Sequence, residues 1–124
     1  MRIEVRGQNV AHSPALWAYA ERRLSIALRR VEKRVPVVMV RFVDENGDKG
    51  GVDKHCRVEV PMPRSRVVLV DEHHPDLYTA IDFAADRTVR AVEREIGRRR
   101  AKRAEAVEFR KAEKGKIAAA HAES

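Results

Sequence analysis

Few residues of this chain have the types and spacing that catalysis or metal binding would need. The sequence DEHHPD at residues 71–76, together with His55, offers imidazole and carboxylate ligands of the kind that suit zinc. Their spacing matches no established metal motif, and histidines between a strand and a helix are usually plain polar surface. Cys56 alternates with Val58 and Val60, which is typical of a small core side chain. Since no glycine-rich phosphate loop and no nucleophile with a partnered base is found, we expect no enzyme, no metal and no cofactor.

Positive charge is the other chemistry that the sequence offers. Lysine and arginine number 26 against 19 acids, which gives a formal net charge of +7. A balance of this kind favours an anionic partner, with nucleic acid first and an anionic membrane surface second. Much of the charge lies in DLYTAIDFAADRTVRAVEREIGRRRAKR, residues 76–103, whose second half is crowded with arginine.

The hydrophobic periods and the turn residues predict six elements. Ser13 followed by Pro14 supplies a helix cap and a first-turn proline, and Pro36 ends that helix. The turn residues Asn46-Gly47 and Gly50-Gly51 mark a hairpin loop. In chain order we predict a strand over 1–7, a helix over 14–34, strands over 35–44, 52–60 and 65–70, and a helix from about residue 75 through 103.

The order β-α-β-β-β-α predicts an α+β fold with a four-stranded, mostly antiparallel sheet and two helices packed on one face. Residues 1–103 form the predicted domain, and residues 104–124 a charged tail that we expect to be helical or flexible. In that tail Val107, Phe109 and Ile117 are the only bulky apolar residues, too few for a second core.

The wheel of each predicted helix separates an apolar stripe from charged flanks. The stripes are Leu16, Trp17, Ala20, Leu24, Ala27, Leu28 and Val31 on the first helix, and Leu77, Ile81, Ala84, Ala85, Thr88, Val92 and Ile96 on the second. The basic flanks are Arg22, Arg23, Arg29, Arg30 and Lys33 on the first, and Arg87, Arg90, Arg94 and Arg98 on the second. Opposite flanks carry Glu21 and Glu32, and Asp82, Asp86 and Glu93.

Two interpretations of these flanks remain open. They are solvated faces, or they merge into one basic groove between neighbouring helices. Tyr19, Ile26 and Phe83 lie among the arginines and either stack on bases or cover the edge of the core. The acids Asp76, Asp82 and Asp86 repel phosphate from the start of the second helix, so we expect binding near its C-terminal half.

The segments GQNVAHSPAL at 7–16 and DLYTAID at 76–82, followed by Asp86-Arg87 and a basic helix end, resemble the ribosome hibernation-promoting factor family. The resemblance covers roughly residues 1–105. It implies binding in the decoding region of the small ribosomal subunit, where messenger and transfer RNA would otherwise lie, with translation silenced in starvation or stationary phase. Residues 44–53 and 55–63 follow no family pattern that we identify.

By position, the resemblance implies that the nine basic flank residues contact ribosomal RNA, the same nine that the helix wheels select. The chain resembles the short form of the family, so we expect a monomer when free. Without a membrane-length apolar stretch or a signal peptide, we expect a cytoplasmic protein that binds no membrane. One alternative remains, a regulatory protein-interaction module that uses the same basic groove for an acidic protein partner.

Overall fold

The structure, a computed structural model, describes residues 1–45 and 54–123, with side chains described up to residue 116. Its elements are β1 (Arg2–Gln8), α1 (Pro14–Ala27), a 3₁₀ helix (Arg29–Arg34), β2 (Val37–Asp44), β3 (Lys54–Val60), β4 (Val68–His73) and α2 (Leu77–Glu123). The predicted order β-α-β-β-β-α is confirmed. The predicted turn residues 46–47 and 50–51 and the predicted start of the third strand at residue 52 lie outside the described residues.

The four strands form one sheet in the order β1-β2-β3-β4. β1 and β2 run parallel because α1 carries the chain back to the same end of the sheet. The pairs β2–β3 and β3–β4 are antiparallel. The prediction of a mostly antiparallel four-stranded sheet is therefore confirmed.

Side chains alternate between a covered and an open face of this sheet. Val38, Val40 and Phe42 of β2 point into a core shared with both helices, and each is at most 2% exposed. On the opposite face Met39 is 36% exposed and Leu69 is 59% exposed. Both helices therefore cover one face, as predicted, and the other face has no helix against it within the described chain.

The first helix begins as predicted but ends earlier. The Ser13 hydroxyl accepts a hydrogen bond from the Leu16 amide, and Pro14 opens the helix. The α-helix stops at Ala27, and the 3₁₀ helix replaces its predicted end. Pro36 holds Val35, the residue before it, in the extended conformation, so the 3₁₀ helix ends at Arg34 and the chain enters β2.

Gly7 permits a close approach that explains part of the GQNV segment. A Cβ atom at this position would lie 2.8 Å from the carbonyl oxygen of Val10 and 3.0 Å from the Trp17 ring. Because real Cβ atoms essentially never come within 2.8 Å of a carbonyl oxygen, and 3.0 Å from the ring is already tight, glycine lets α1 pack against the end of β1. Two residues later, Asn9 adopts a positive φ of 58° and turns the chain toward α1.

The fourth strand is shifted by three residues from its predicted position. It spans Val68–His73 instead of residues 65–70, because β3 supplies pairing partners for Asp71, Glu72 and His73. Residues 71–73 therefore belong to a strand, and their assignment to a loop is wrong. At the other end, Ser65 is held in a turn by a hydrogen bond to Glu95 of α2.

The second helix is capped by Asp76 and extends far beyond the sheet. The Asp76 carboxylate accepts hydrogen bonds from the Tyr78 amide and the Thr79 hydroxyl, both at 3.0 Å. Its buried stripe is, as predicted, Ile81, Ala84, Ala85, Thr88, Val92 and Ile96, with Leu77 partly buried. From residue 101 to residue 116 every side chain is exposed. The helix thus continues into the predicted tail, and its side chains from residue 101 to residue 116 do not pack on the sheet.

Candidate nucleic-acid interface

Positive side chains surround one open groove where the 3₁₀ helix, the β3–β4 connection and α2 meet. The groove measures about 430 Å³, and Pro36, Met62 and Ile96 give it an apolar component. Its basic lining consists of Lys33, Arg34, Arg64, Arg99, Arg100 and Arg103, which we term the basic groove. Within the described chain, no carboxylate lines this groove and no ion pair joins any of the six residues to an acid. Their charges are therefore available to a partner.

Three pieces of local structure bring these charges together. The 3₁₀ helix presents Lys33 and Arg34, both exposed. On α2 the three arginines of the groove lie within about one helical turn of each other. Arg64 lies in the turn after Pro63 with a positive φ of 60°. Such a conformation costs a residue other than glycine roughly 1–3 kcal/mol and is concentrated at functional sites.

Glu95 of α2 holds the β3–β4 connection, which carries Arg64, in place beside the basic groove. This side chain accepts hydrogen bonds from the Ser65 hydroxyl and, at 3.3 Å, from the Arg66 amide. Arg98, one turn further along α2, reaches both carboxylate oxygens with its Nε at 3.0 and 3.1 Å. The β3–β4 connection is thereby tied to the helix.

These hydrogen bonds also keep Glu95 ionised. The Arg98 guanidinium, followed by the Ser65 hydroxyl, lowers the pKa of the Glu95 carboxyl from 4.5 to about 2. The carboxylate is consequently charged throughout the neutral and mildly acidic range. The clamp that shapes the groove does not depend on pH under those conditions.

The groove continues between the 3₁₀ helix and α2. This extension measures about 380 Å³ and shares Lys33, Arg34 and Arg100 with the basic groove. It adds Arg30 and one acid, Glu93. The basic surface is therefore continuous along the side of the molecule where α2 leaves the sheet.

The structure divides the nine predicted RNA-binding residues into two groups. Arg23, Arg87 and Arg98 form ion pairs with acids. Within the described chain no ion pair is formed by the other six, which are Arg22, Arg29, Arg30, Lys33, Arg90 and Arg94. Lys33 belongs to the basic groove and Arg30 to its extension. The rest lie along the outer surfaces of the helices.

Opposite charges, not two arginine flanks, join α1 to α2. Arg23 lies 2.9 Å from Asp86 and 3.3 Å from Asp82. The Tyr19 hydroxyl donates a hydrogen bond to Asp82 at 2.6 Å, and this bond raises the pKa of Tyr19. We term these four residues the helix seam. Along α1 the two arginine flanks do not merge, because the acidic flank of α2 faces α1 and attracts Arg23. Basic residues of the two predicted helices meet further along, where Arg30 and Lys33 line a concavity with Arg100.

Arg87 lies on the other side of α2, next to β4. Its guanidinium contacts the Glu72 carboxylate at 2.7 Å and the Asp71 carbonyl oxygen at 3.3 Å. Arg90 donates to the carbonyl oxygen of Asp86 at 3.2 Å, so its side chain follows the helix backbone. The arginine flank of α2 is thus partly engaged by the protein itself.

Sequence reasoning missed most of the basic groove. The residues not selected are Arg34, Arg64, Arg99, Arg100 and Arg103. The run Arg98-Arg99-Arg100 is visible in the sequence, and its density of charge could have extended the predicted site along α2. Arg64 carries no such signal, because its place beside α2 depends on the hydrogen bonds of Glu95.

The three side chains considered for base stacking have different surroundings. Tyr19 is partly buried in the helix seam, and its ring meets Tyr78 edge-on at 5.1 Å. This arrangement favours the packing interpretation for Tyr19. Ile26 and Phe83 are 53% and 52% exposed, so both remain accessible to a partner.

The histidines considered for metal binding form a compact cluster on the sheet. Ligand atoms of His55, Asp71 and His73 lie within 4.8 Å of one another. His55 Nδ1 is 2.7 Å from the Asp71 carboxylate, and the two imidazoles stack at 4.5 Å with 11° between their planes. A nitrogen lone pair lies in the plane of its ring, so one ion cannot align with both rings. The geometry favours a hydrogen-bonded cluster.

Cys56 lies in the core, as predicted, with 1% of its surface exposed. Burial raises the pKa of its thiol to about 12. The thiol is therefore neutral and unreactive at physiological pH.

A family model described as "Sigma 54 modulation protein / S30EA ribosomal protein" matches residues 3–100. The chain belongs to this family. The expected family relationship is confirmed. The names in the family describe modulation and ribosomal proteins and no catalytic activity, in agreement with the expectation that the chain is not an enzyme.

Individual relatives extend the comparison. The ribosome hibernation promotion factor of Bacillus subtilis (strain 168) is 30% identical over 96 residues, which are 74% of this chain and 47% of that protein. The chain therefore spans about half the length of this curated relative. The N-terminal domain of Protein Y from Thermus thermophilus is similar in structure, with 28% identity and a TM-score of 0.60, over 76% of this chain and 98% of that chain.

A ribosomal subunit interface protein from Coxiella burnetii superimposes with a TM-score of 0.58 over 82% of this chain and 99% of that chain. At 20% identity this likeness shows the fold alone. Within the described part of the chain, no helix combines the length and the apolar character that crossing a bilayer requires.

Proposed function

We propose that this protein associates with the ribosome and silences translation by binding ribosomal RNA in the decoding region of the small subunit. Occupation of that region would block the sites of messenger and transfer RNA during starvation or stationary phase. Family membership and the names of the relatives support a ribosome-associated role. In this proposal the protein is cytoplasmic and, when free, monomeric.

The observation that carries the proposal is the basic groove. Six basic side chains surround one concavity, and no ion pair within the described chain neutralises them. Five of the six are arginines, whose planar guanidinium groups match phosphate oxygens in pairs. A folded RNA presents closely spaced phosphates, and each neutralised phosphate releases counterions that favour binding.

The two groups of predicted residues have different roles in this proposal. Unpaired residues of the flanks, such as Arg30 and Arg94, extend the phosphate contacts beyond the groove. The paired residues Arg23, Arg87 and Arg98 hold elements of the protein in place and contact RNA only if the partner displaces an acid. The groove should therefore contribute more to affinity than the flank of α2.

An acidic protein partner at the same groove is the alternative. Both partners present negative charge, so the groove alone does not distinguish them. The RNA partner and the acidic protein partner are distinguished by whether the protein binds ribosomal RNA from which the ribosomal proteins have been removed. Phosphates that are evenly spaced along a chain also give a stronger salt dependence than scattered carboxylates.

The experiment compares two triple variants that change the charge equally. Arg34→Glu, Arg99→Glu and Arg100→Glu reverse the groove, whereas Arg110→Glu, Lys111→Glu and Lys114→Glu reverse exposed positions on the projecting part of α2. Each full-length protein is pelleted with ribosomes from stationary-phase extracts at low and raised salt. Binding to purified small-subunit RNA without protein is measured in parallel.

We expect the groove variant to lose ribosome association and RNA binding, and the control variant to keep both. Equal binding by the two variants would contradict a role for the groove. Loss of ribosome association without any binding of the parent protein to stripped RNA would instead favour the acidic protein partner.

A further inference from the structure

The open face of the sheet carries a row of arginines that neither the fold nor the proposed function uses. Arg6 of β1 pairs in register with Arg41 of β2, and Arg41 pairs in register with Arg57 of β3. Cross-strand neighbours point to the same face with Cβ atoms about 5 Å apart. Three arginine side chains therefore leave the sheet from neighbouring positions on the face opposite the helices. We term them the arginine row.

This arrangement is unfavourable for the protein alone. Like charges placed directly opposite each other destabilise a sheet. Within the described chain neither Arg6 nor Arg41 forms an ion pair or a hydrogen bond through its side chain. No acid among the described residues contacts Arg6 or Arg41, so a counter-charge in direct contact with the centre of the row is missing, although Glu4 and Glu59 line the same concavity.

Asp71, the acid at the end of the arginine row, lies closer to His55 than to Arg57. Asp71 pairs in register with Arg57, and their closest contact is 3.4 Å. The other Asp71 oxygen is only 2.7 Å from His55. In addition, the Nε atom of Arg57 is buried and has no hydrogen-bond partner. The row thus ends on a guanidinium that is incompletely satisfied.

A small concavity lies over the row. It measures about 120 Å³, and all three arginines line it together with Met39. One water needs roughly 10–15 Å³ of such space, so the concavity can admit several waters or a small polyatomic anion. Two acids, Glu4 and Glu59, also line it, but Glu4 is paired with Arg2 at 3.2 Å. The concavity has the size of a small polyatomic anion.

We propose that the arginine row binds a phosphate group, carried by a free nucleotide or by an RNA backbone. A tetrahedral phosphate offers several acceptor oxygens to neighbouring guanidinium groups and supplies the missing counter-charge. This site is separate from the basic groove and does not depend on the proposed ribosome role.

The test is a titration of the isotope-labelled full-length protein, followed by amide NMR shifts. The probes are inorganic phosphate, adenosine monophosphate and a short oligouridylate, with chloride used to hold the ionic strength constant. The variant is Arg41→Gln, at the centre of the row, and Arg110→Gln on the exposed part of α2 is the control with the same change in charge. Unfolding midpoints are measured in chloride without phosphate.

We expect the amides around the arginine row to shift in the parent and control proteins, and the apparent phosphate affinity to fall about tenfold or more in Arg41→Gln. The same variant should unfold at a higher temperature than the parent in chloride, because a repulsion is removed. Row shifts with phosphate or the mononucleotide identify a free ligand, whereas row shifts with the oligonucleotide alone identify RNA, and both support the site.

Three results would overturn the proposal. The amides of the row stay unmoved by every probe, the shifts are confined to the basic groove, or Arg41→Gln and the control bind phosphate equally. A lower unfolding midpoint for Arg41→Gln would remove the premise that the row repels itself. None of these results bears on ribosome association through the groove.

Discussion

The helix seam and the basic groove contain the same kind of side chain in opposite circumstances. At the seam, Arg23 is held by Asp82 and Asp86, and its side chain is 29% exposed. In the groove, Arg99 and Arg100 line a concavity without a carboxylate, as far as the structure describes the chain. An arginine that already has a partner contributes to the packing of helices. An unpaired arginine keeps its full attraction for a polyanion.

The comparison shows that a charged flank on a helix wheel is not yet a binding surface. Both helices separate their charges by flank, yet the fold places the acidic flank of one beside the basic flank of the other. The position of each helix on the sheet decides which charges are neutralised. The residues of the basic groove lie beyond the end of the helix seam, where α2 leaves the sheet, and do not form such pairs within the described chain.

After the groove variant, the largest effect on ribosome association is expected when the charges on the basic flank of α2 are reversed. Changing Arg87, Arg90 and Arg94 to Glu should weaken ribosome association markedly, because repulsion replaces attraction at each position. Since Arg87 is paired with Glu72, only two of the three contribute direct contacts. If both contact phosphates, the slope of log affinity against log salt becomes shallower by about two. Pelleting across a salt series measures it.

The matched control reverses the acidic flank of the same helix. Changing Asp82, Asp86 and Glu93 to Lys should leave ribosome binding intact or strengthen it, although the seam loses its pairs. Identical pelleting of the two triple variants would mean that the arginine flank is merely a solvated face.

The next test removes the Glu95 clamp that holds the β3–β4 connection against α2 beside the basic groove. The folded-state pKa of Glu95 lies below its usual value, so its ionisation stabilises the protein above about pH 4.5, and this contribution is lost as pH falls toward 2. In Glu95→Gln that pH-dependent contribution disappears. We expect the free energy of unfolding of the parent to fall more steeply than that of the variant between pH 4.5 and 2, as followed by urea titration.

Glu105→Gln, at an exposed position further along α2, is the matched control and should follow the parent profile. Parallel profiles for Glu95→Gln and the parent would show that the clamp is not formed in solution. The groove would then have to be shaped by packing alone.

The fold was accessible from local patterns because each element carries its own signal. Alternation in β1, the Ser13-Pro14 start of α1 and the apolar stripe of α2 are all consequences of periodicity or capping. The bounds of β4 could not be predicted from a local pattern. They depend on how residues far apart in the chain pair, as His73 does with His55.

Only part of the candidate site could be predicted from the sequence, because the rest depends on contacts between residues far apart in the chain. Sequence patterns identified basic helices and a C-terminal location for binding, and Lys33 does line the groove. Which arginines are paired is a tertiary property, since Arg23 and Asp82 are 59 residues apart. Arg64 joins the groove through a turn that Glu95 holds, and no periodicity in the sequence indicates it.

A smaller effect is expected from the seam itself. Partly exposed ion pairs contribute about 0.2–1 kcal/mol, because solvent screens them. A double-mutant cycle with Arg23→Gln and Asp86→Asn should give a coupling energy in that range by denaturant unfolding. Ribosome association of both single variants should stay close to that of the parent. A coupling energy near zero would show that the pair adds nothing to stability, and loss of ribosome association in Arg23→Gln would assign this arginine to the RNA contact instead.

The smallest effect is expected from removal of residues 104–124. Side chains from 104 to 116 are exposed, and among them Val107 and Phe109 are 40% and 67% exposed, so the truncation removes no core contact from this segment. We expect the free energy of unfolding to change by less than about 0.5 kcal/mol, as for other exposed positions.

A chain stopped after Arg94 is the contrasting variant, because it also loses Glu95 and the buried Ile96. It should unfold without the sharp transition of the parent, whereas the chain that ends at Arg103 should keep both that transition and the six residues of the basic groove. Loss of cooperative unfolding in the longer chain would contradict the proposal that residues 1–103 form the folded domain.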